Sequence, residues 1–250
     1  MAHIYSDEFF DYIDSGAKSS AQKLISVVQP WLKAQSVLDL GSGRGVWLRE
    51  WADAGVPEIL GVDGDYVDRS RLAIPTDSFQ ARDLTKPLSL GQTFDVAQSL
   101  EVGEHLPKNS SETLVESLTN HSNIVIFSAA VTGQGGEFHI NEQPLSFWQK
   151  LFAEKGYTAF DCIRPELKTN ADVEPWYKYN TILYASKAGE KNLPEHVLKT
   201  RIPSGSIVPN GGNFAWRFRR MVVSLLPRNT VTWIAQKRAA IIASRATGNS

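Results

Sequence analysis

The sequence is poor in cysteine, in methionine and in long apolar runs. Its one cysteine, Cys162, excludes an internal disulfide and cannot build a zinc cluster, and its apolar neighbours Phe160 and Ile163 indicate a packed thiol rather than a nucleophile. No apolar run approaches the roughly 20 residues that are needed to span a bilayer, and the N-terminus shows no signal-peptide pattern. We therefore expect a cytoplasmic protein that is not integral to a membrane.

The chain as a whole also lacks an excess of either charge. Its 250 residues carry a formal net charge of -1 with a pI near 6.5, so the overall charge attracts neither nucleic acid nor an anionic membrane. Nucleic-acid substrates are disfavoured on this ground. The length is enough for one α/β domain with a large core and additional segments, and no internal repeat or low-complexity tract divides it.

The most informative segment that is present is VLDLGSGRG, residues 37–45. An apolar strand pattern runs into a glycine-rich turn, and a helix pattern follows over Val46 to Ala54. Glycines adopt backbone angles that are closed to other residues and leave no Cβ between the main chain and a ligand. The start of the helix adds N–H groups without partners in the helix. The segment therefore predicts a site for an adenosine-bearing cofactor.

The spacing of the glycines favours one such cofactor over another. A nicotinamide-dinucleotide site needs Gly-x-Gly-x-x-Gly, whereas Gly41, Gly43 and Gly45 place the third glycine one position early. Asp39 would repel a pyrophosphate but can accept hydrogen bonds from a cationic amino-acid group. This favours S-adenosylmethionine, and it leaves an NAD-type oxidoreductase and a non-catalytic cofactor-binding scaffold as alternatives.

Acidic residues recur at the ends of the next strand patterns. Asp63 comes 18 residues after Gly45, close to the offset of about 20 residues at which a carboxylate binds ribose hydroxyls. Asp83 follows 20 residues later and can accept a hydrogen bond from an adenine amino group, while Leu84 can offer its backbone N–H to the ring. Glu101 follows the fourth apolar run. The regular spacing of these acids favours a cofactor site over a chance arrangement of surface residues.

Strand and helix patterns alternate through the centre of the chain, which predicts an α/β fold: a Rossmann-like, doubly wound, mostly parallel sheet with helices on both faces. The predicted strands are seven: 37–40, 59–62, 78–81, 94–99, 123–127, 158–163 and 179–186. A helix is predicted over Ser146 to Lys155. We divide the chain into an N-terminal helical cover (1–35), the cofactor-binding core (36–186) and a C-terminal helical extension (187–250).

Four motifs carry a resemblance to a known family: DLGSGRG at 39–45, GVDGD at 61–65, ARDL at 81–84 and SLEVGEHLP at 99–107. Over residues 36–185 the chain resembles the class I S-adenosylmethionine-dependent methyltransferases. The resemblance implies that S-adenosylmethionine is the donor and S-adenosylhomocysteine the product, and that the last strand inserts antiparallel. The later stretch FSAAVTGQGGEFHINEQP, 127–144, is similar to a bacterial subgroup often associated with glycan or natural-product tailoring.

The resemblance also implies a set of cofactor-binding residues, which agree with the spacing argument. In that family Gly41 and Gly43 would flank the methionine moiety, Asp63 would bind the ribose, and Asp83 with Leu84 would hold the adenine. The sulfonium pocket would be lined by three consecutive residues: Ser99, Leu100 and Glu101.

Transfer of a methyl group to oxygen or nitrogen requires removal of a proton from the acceptor, and histidine is the natural base near neutral pH. His139 follows the fifth strand pattern in a loop of glycines and dense polar groups, which is typical of a substrate-facing loop. His105, after the fourth strand pattern, is the second candidate, and either histidine can instead simply hold a loop in place. The other candidates for substrate contact share a polar side chain near these loops or in the N-terminal segment: Tyr5, Tyr12, Glu104, Asn141 and Glu142.

The absence of one sequence motif indicates which kind of atom accepts the methyl group. The Asp-Pro-Pro-Tyr type of motif, found in enzymes that methylate amino groups of nucleic acids, does not occur at the fourth strand, where Gln98-Ser99-Leu100-Glu101 stands. This favours O-methylation of a carbohydrate, glycan or natural-product hydroxyl. Four side chains could assemble a Mg²⁺ site: Glu101, Glu104, His139 and Glu142. Their spacing does not require a metal ion, so we predict no metal ligand.

The C-terminal extension combines basic residues, such as Arg217 and Lys237, with apolar ones, such as Trp216 and Trp233. A basic amphipathic helix of this kind can lie on a membrane surface or receive an anionic or lipid-linked substrate. It can also pack on the core or form a homodimer contact. We expect a small-molecule or glycan acceptor, no nucleic-acid partner, and either peripheral membrane contact or dimerisation through this segment.

Overall fold

A computed structural model describes residues 7–227 and 229–237, with side chains from Gly16 onward. Its centre is a seven-stranded sheet in the order β3-β2-β1-β4-β5-β7-β6. The strands are β1 (Ser36–Leu40), β2 (Glu58–Asp63), β3 (Phe79–Ala81), β4 (Val96–Leu100), β5 (Ile124–Ser128), β6 (Tyr157–Phe160) and β7 (Ile182–Ser186). All pairs are parallel except those of β7, which runs antiparallel between β5 and β6. The predicted fold class is confirmed, including the antiparallel strand.

Helices cover both faces of this sheet. They are α1 (Asp7–Leu32), α2 (Val46–Asp53), α3 (Ser111–His121), α4 (Leu145–Glu154), α5 (Ile163–Leu167), α6 (Pro175–Asn180), α7 (Lys187–Glu190), α8 (Glu195–Leu198) and α9 (Phe214–Ser224). Residues 229–237 are also helical. Helices α1, α2, α5 and α6 pack on one face, and α3 and α4 pack on the other. None of the described helices is both long enough and apolar enough to cross a membrane.

Burial on both faces explains why the strands are almost continuous apolar runs rather than alternating patterns. In β1, Val37 belongs to one core cluster and Leu38 to the other. Each cluster has a fully buried tryptophan, Trp51 of α2 and Trp148 of α4. The Trp51 indole Nε1 donates to Gln98 Oε1 at 2.8 Å, which fixes a polar side chain in the centre of the sheet.

The structure corrects several predicted strand boundaries. β7 begins at Ile182 rather than at Tyr179 because α6 occupies the preceding residues, with Pro175 at its first position, where proline favours a helix start. β6 ends at Phe160, since Ile163 begins α5. β4 lies up to two residues later than predicted. In the N-terminal cover, Asp7–Leu32 forms one continuous helix, α1.

Asp39 lies within β1 rather than at its end. Its register partners are Gly61 of β2 and Gln98 of β4, and only 3% of its surface is exposed. Burial raises the pKa of the Asp39 carboxyl to about 7, which the Gln98 amide opposes and the charge of Asp63 reinforces. A carboxyl group buried in this way binds a proton in the folded state that the unfolded chain releases at lower pH.

The substitution Asp39→Asn is expected to stabilise the ligand-free protein more at about pH 8 than at about pH 5, because stability falls as pH rises from the unfolded pKa through the raised folded pKa. Above that range the neutral amide removes a loss on the order of 4 kcal/mol, because the folded pKa lies about three units above the unfolded one. Melting temperatures of both proteins at the two pH values measure the effect. A difference that does not grow with pH would contradict the assignment of a buried, proton-binding carboxyl.

Candidate active site

A cavity of about 550 Å³ opens at the carboxyl ends of the central strands. Its walls are the turn after β1, the ends of β2 and β4, the loop that follows β5, and part of the C-terminal segment. The order of the strands reverses between β1 and β4. In open α/β sheets, such a reversal creates a crevice in which ligands bind.

The glycine turn forms one wall of this cavity. Gly41 has φ +88°, a conformation that side-chain-bearing residues rarely adopt, and its N–H donates to Val62 O at 2.7 Å. A Cβ at Gly41 would lie 2.3 Å from Cγ2 of Val102 on the opposite side of the cleft. Glycine is therefore required here both for the backbone angle and for the close approach of two segments.

Asp63, at the end of β2, ties two strand ends together. Its Oδ2 accepts from Gly43 N at 2.7 Å, and its Oδ1 accepts from Gly64 N at 2.7 Å and from the Tyr66 hydroxyl. Burial raises the pKa of Asp63, against the effect of these hydrogen bonds. Because a tyrosine hydroxyl already donates to Asp63, a ribose hydroxyl can take the same place.

The adenine end of the predicted site lies at the rim of the cavity. Asp83 and Leu84 both contribute to the wall, and Asp83 is exposed. The Asp83 carboxylate accepts from Thr85 Oγ1 and Thr85 N, and these hydrogen bonds lower its pKa. Asp83 is therefore ionised and able to accept from an adenine amino group.

The end of β4 supplies two buried carboxyl groups to the cavity. Glu101 has φ +58°, unusual for a residue with a side chain, and its Oε2 accepts from Gln134 Nε2 at 2.6 Å. Burial raises the pKa of Glu101. Glu104 is fully buried, and neither of its carboxyl oxygens makes a hydrogen bond with good geometry to a residue that the structure describes. Burial and the charge of Glu101 raise the pKa of Glu104 well above its usual range.

His139 faces the same cavity from the loop after β5. Its Nδ1 lies 2.9 Å from Glu142 Oε1, and Glu142 also accepts from the N–H groups of Gly133 and Gly135. Burial would raise the pKa of Glu142, but these hydrogen bonds outweigh it and hold the pKa below its ordinary value. A carboxylate at Nδ1 sets the tautomer in which Nδ1 carries the proton, leaving Nε2 as the basic nitrogen. A Cβ at Gly136 would lie 2.2 Å from Nε2, so glycine makes room for the ring.

His105 stands beside His139, with ring centroids 5.0 Å apart and planes at 86°. Burial and the neighbouring His139 lower the pKa of His105 to about 3. His105 is therefore neutral at physiological pH and a much weaker base than an ordinary histidine.

Three of these residues could also hold a metal ion. Glu104, His105 and His139 each offer one ligand atom, and the three atoms lie within 4.8 Å of one another. A set of two imidazoles and one carboxylate suits a divalent transition metal better than Mg²⁺. It differs from the oxygen-rich set considered from the sequence, since Glu142 is already occupied by His139 and two backbone N–H groups.

The structure brings most of the predicted site residues into the lining of one cavity: Gly41, Gly43, Asp63, Asp83, Leu84, Leu100, Glu101, Glu104, His105 and His139. Asp39 and Ser99 are buried in the sheet instead. Asn141 is also buried and donates to Gly103 O and Ser111 Oγ, both at 3.0 Å, so it holds the loop to the end of β4. Tyr5 lies outside the described residues. Tyr12 lies in α1, and its side chain is outside the described part.

Sequence reasoning missed a second group of wall residues, which come from segments far apart in the chain: Trp47, Tyr66, Gln134, Trp176, Tyr177, Trp216 and Arg219. Gln134 had a usable signal, since it lies in the loop predicted to face the substrate. Trp216 and Arg219 were visible only as members of a basic amphipathic segment, because the packing of the C-terminal segment over the cavity depends on contacts across more than 80 residues.

Comparisons with known proteins agree with this geometry. The chain matches a family model described as a methyltransferase domain over residues 7–159, more than half of its length. A search of curated proteins gave no match.

Two solved structures illustrate the likeness. An O-methyltransferase family protein from Burkholderia thailandensis is 12% identical, with 71% of this chain and 59% of that chain covered and a TM-score of 0.53. The magnesium protoporphyrin IX methyltransferase of Synechocystis PCC 6803, with bound S-adenosylmethionine, is 16% identical, with 75% and 87% covered and a TM-score of 0.51. At these identities the likeness shows the fold.

The sheet order, the glycine turn and the acid at the end of β2 define a class I S-adenosylmethionine-dependent methyltransferase. The chain belongs to the methyltransferase domain family, and S-adenosylmethionine is its cofactor. Its own residues fit that group: the cradle at Gly41 is one that a Cβ would fill, and the buried Glu101 Oε1 has no hydrogen-bond partner among the residues described. The alternative of an NAD-type oxidoreductase is set aside.

The substitution Gly41→Ala is expected to weaken binding of S-adenosylhomocysteine at least about tenfold, because the new methyl group displaces Val102 and closes the cleft. Gly55→Ala is a matched control, since Gly55 has φ +92° and a Cβ there would meet nothing within 4 Å. Calorimetric titration measures affinity, and melting curves report the cost of the backbone strain. Equal affinities in the two variants would show that the cleft at Gly41 does not hold the cofactor.

Proposed function

We propose that the protein transfers the methyl group of S-adenosylmethionine to a hydroxyl oxygen of a carbohydrate or a tailored natural product. The observation that carries this proposal is the position of His139 in the lining of the cavity that the glycine cradle also lines, with its Nδ1 2.9 Å from Glu142 Oε1. A hydroxyl is a weak nucleophile until its proton is removed, and an imidazole oriented by a carboxylate is suited to remove it.

The walls support a polar acceptor with apolar faces. Tyr177 and Trp216 present aromatic surface to the cavity, and Glu104 and Arg219 present polar groups. Sugar rings combine C–H faces with hydroxyl groups, so a wall of aromatic and polar side chains suits them. It also suits other hydroxylated metabolites.

Methyl transfer to a hydroxyl needs a methyl donor and a group that takes the hydroxyl proton. S-adenosylmethionine supplies an electrophilic methyl group. His139 Nε2 takes the hydroxyl proton as the acceptor oxygen forms its bond to the methyl carbon, and the electron pair of the broken carbon–sulfur bond remains on sulfur. Glu142 stabilises the imidazolium through Nδ1. A cavity wall that holds the acceptor in line with the carbon–sulfur bond would convert a bimolecular collision into a reaction between positioned groups.

Loss of the base should reduce turnover without affecting the donor. We expect His139→Ala to lower kcat by at least about tenfold, and by up to about 10⁴-fold, while the affinity for S-adenosylhomocysteine stays within about twofold. Transfer of radiolabelled methyl groups to a panel of hexose-containing glycans and hydroxylated metabolites measures the rate. His196→Ala, an exposed histidine outside the cavity wall, is the control. Full activity of His139→Ala would remove the base assignment.

The role of Glu142 as a positioning residue has its own signature. Glu142→Gln retains the size of the side chain but no longer stabilises a protonated His139, so we expect a smaller loss of kcat and a displaced pH dependence of kcat, with KM unchanged. A Glu142→Gln enzyme whose pH profile coincides with that of the parent would show that Glu142 supports only the loop.

A second candidate mechanism rests on the cluster of Glu104, His105 and His139. A divalent cation held there would lower the pKa of a bound acceptor hydroxyl, and His139 would then serve as a ligand. Dialysis against a chelator separates the two mechanisms. Activity that survives complete metal removal supports direct proton transfer to His139, whereas activity lost on chelation and restored by Mn²⁺ or Zn²⁺, together with loss of metal binding in Glu104→Gln, supports the metal.

A further inference from the structure

The last described segment of the chain has two faces. We call the described residues 213–227 and 229–237 the C-terminal arm, which contains α9 and the helical residues 229–237. Its inner face closes the cavity, with Trp216 and Val223 in the wall. Arg219 Nη1 donates to Gln134 O at 2.7 Å, and Arg220 donates to Thr132 O. These contacts fix the orientation of the arm on the loop that carries His139.

The outer face of the arm is apolar and unprotected. Four residues follow one another at spacings of four, three and four, which places them on one side of α9: Phe214, Phe218, Met221 and Leu225. Phe214 is 84% exposed and Leu225 is 79% exposed, and Trp233 on the next helix is 58% exposed. We call these five residues the outer stripe. A helix with apolar residues on both sides is normally buried on both sides. The exposed outer stripe therefore indicates a surface that binds a partner.

The charge of the C-terminal part of the chain indicates the chemistry of the partner that binds the outer stripe. Residues 196–250 contain nine lysines and arginines and no aspartate or glutamate, so this segment carries +9. Residues 1–195 carry -10, and the near-neutral total conceals this division. On the arm, Arg217 and Lys237 are exposed near the outer stripe. An asymmetry of this size favours an anionic partner for the C-terminal part of the chain.

An anionic partner must also accept the apolar side chains. Nucleic acid would be held by the cations, and its bases can stack on aromatic rings, but it offers no apolar phase for the aliphatic side chains of Met221 and Leu225, which are 54% and 79% exposed. A second copy of the arm would bring cations against cations. An anionic bilayer satisfies both requirements, because apolar side chains enter the boundary of the acyl chains while lysines and arginines meet the headgroups. Exposed aromatic residues also suit the interfacial region of a membrane.

We propose that the outer stripe docks on the surface of a bilayer that contains anionic phospholipids, with the C-terminal arm lying in the plane of the headgroups. Because the inner face of the same arm walls the cavity, docking brings the active site to the membrane surface. The docking itself does not depend on the proposed function. Its consequence, that the acceptor is presented at the bilayer, rests on the proposed hydroxyl methylation.

The test is co-sedimentation of the full chain with vesicles of phosphatidylcholine alone and of phosphatidylcholine with about one-third phosphatidylglycerol. We expect at least about tenfold tighter binding to the anionic vesicles, weakened by added salt. The triple variant Phe214→Ser, Phe218→Ser, Leu225→Ser should lose at least about tenfold in vesicle affinity. Ile207→Ser is the matched control, because Ile207 is 70% exposed but lies outside the arm.

Each outcome decides the proposal. Loss of vesicle binding in the triple variant but not in Ile207→Ser, with unchanged affinity for S-adenosylhomocysteine, supports docking through the outer stripe. Equal binding to neutral and anionic vesicles, or vesicle binding that survives the triple substitution, overturns it. So does a dimer in solution that the triple variant converts to monomer, or nucleic-acid binding that abolishes vesicle binding. Failure of the parent protein to bind S-adenosylhomocysteine would overturn the proposed function while leaving the vesicle result to be judged separately.

Discussion

The hydrogen bond from the N–H of Gly43 to the carboxylate of Asp63 is the contact on which the donor half of the cavity depends. It joins the turn after β1 to the end of β2, while Gly41 allows Val102, two residues after the end of β4, to approach the turn. Three strand ends are thereby held around one cleft. The energetic cost lies in burying acidic groups, visible in the raised pKa values of Asp39 and Asp63. A cationic, hydroxyl-rich cofactor offsets that cost when it binds.

The acceptor half is organised by Gln134. Its amide donates to Glu101, its side-chain oxygen accepts from Asn180, and its backbone oxygen accepts from Arg219 of the C-terminal arm. One residue thus connects the end of β4, the helix before β7 and the arm. The same loop carries His139, so the hydrogen bond from Gln134 to Glu101 at the end of β4 positions the proposed base relative to the donor cleft. Movement of the C-terminal arm would therefore displace the loop that carries His139.

The sequence predicted the parts of this site that depend on local pattern. A strand, a glycine turn and a helix are contiguous, and acids at strand ends recur at intervals that follow from the fold, so Asp63 and Glu101 could be found by spacing. Asn141 could not be assigned, because its partners are contributed by residues more than 25 positions away. The arm was visible only as basic and amphipathic. Its packing over the cavity is tertiary, and the net charge of the whole chain concealed the opposite charges of its two parts.

The central claim is that the glycine cradle and His139 face each other across one reaction site. The most direct measurement is the distance from the sulfur of S-adenosylhomocysteine to His139 Nε2 in a crystal structure of the complex. The account predicts about 7 Å, which leaves room for a methyl carbon and one acceptor oxygen in a row, with the ribose hydroxyls bound to Asp63. A sulfur that points away from His139, at more than about 10 Å, would contradict it.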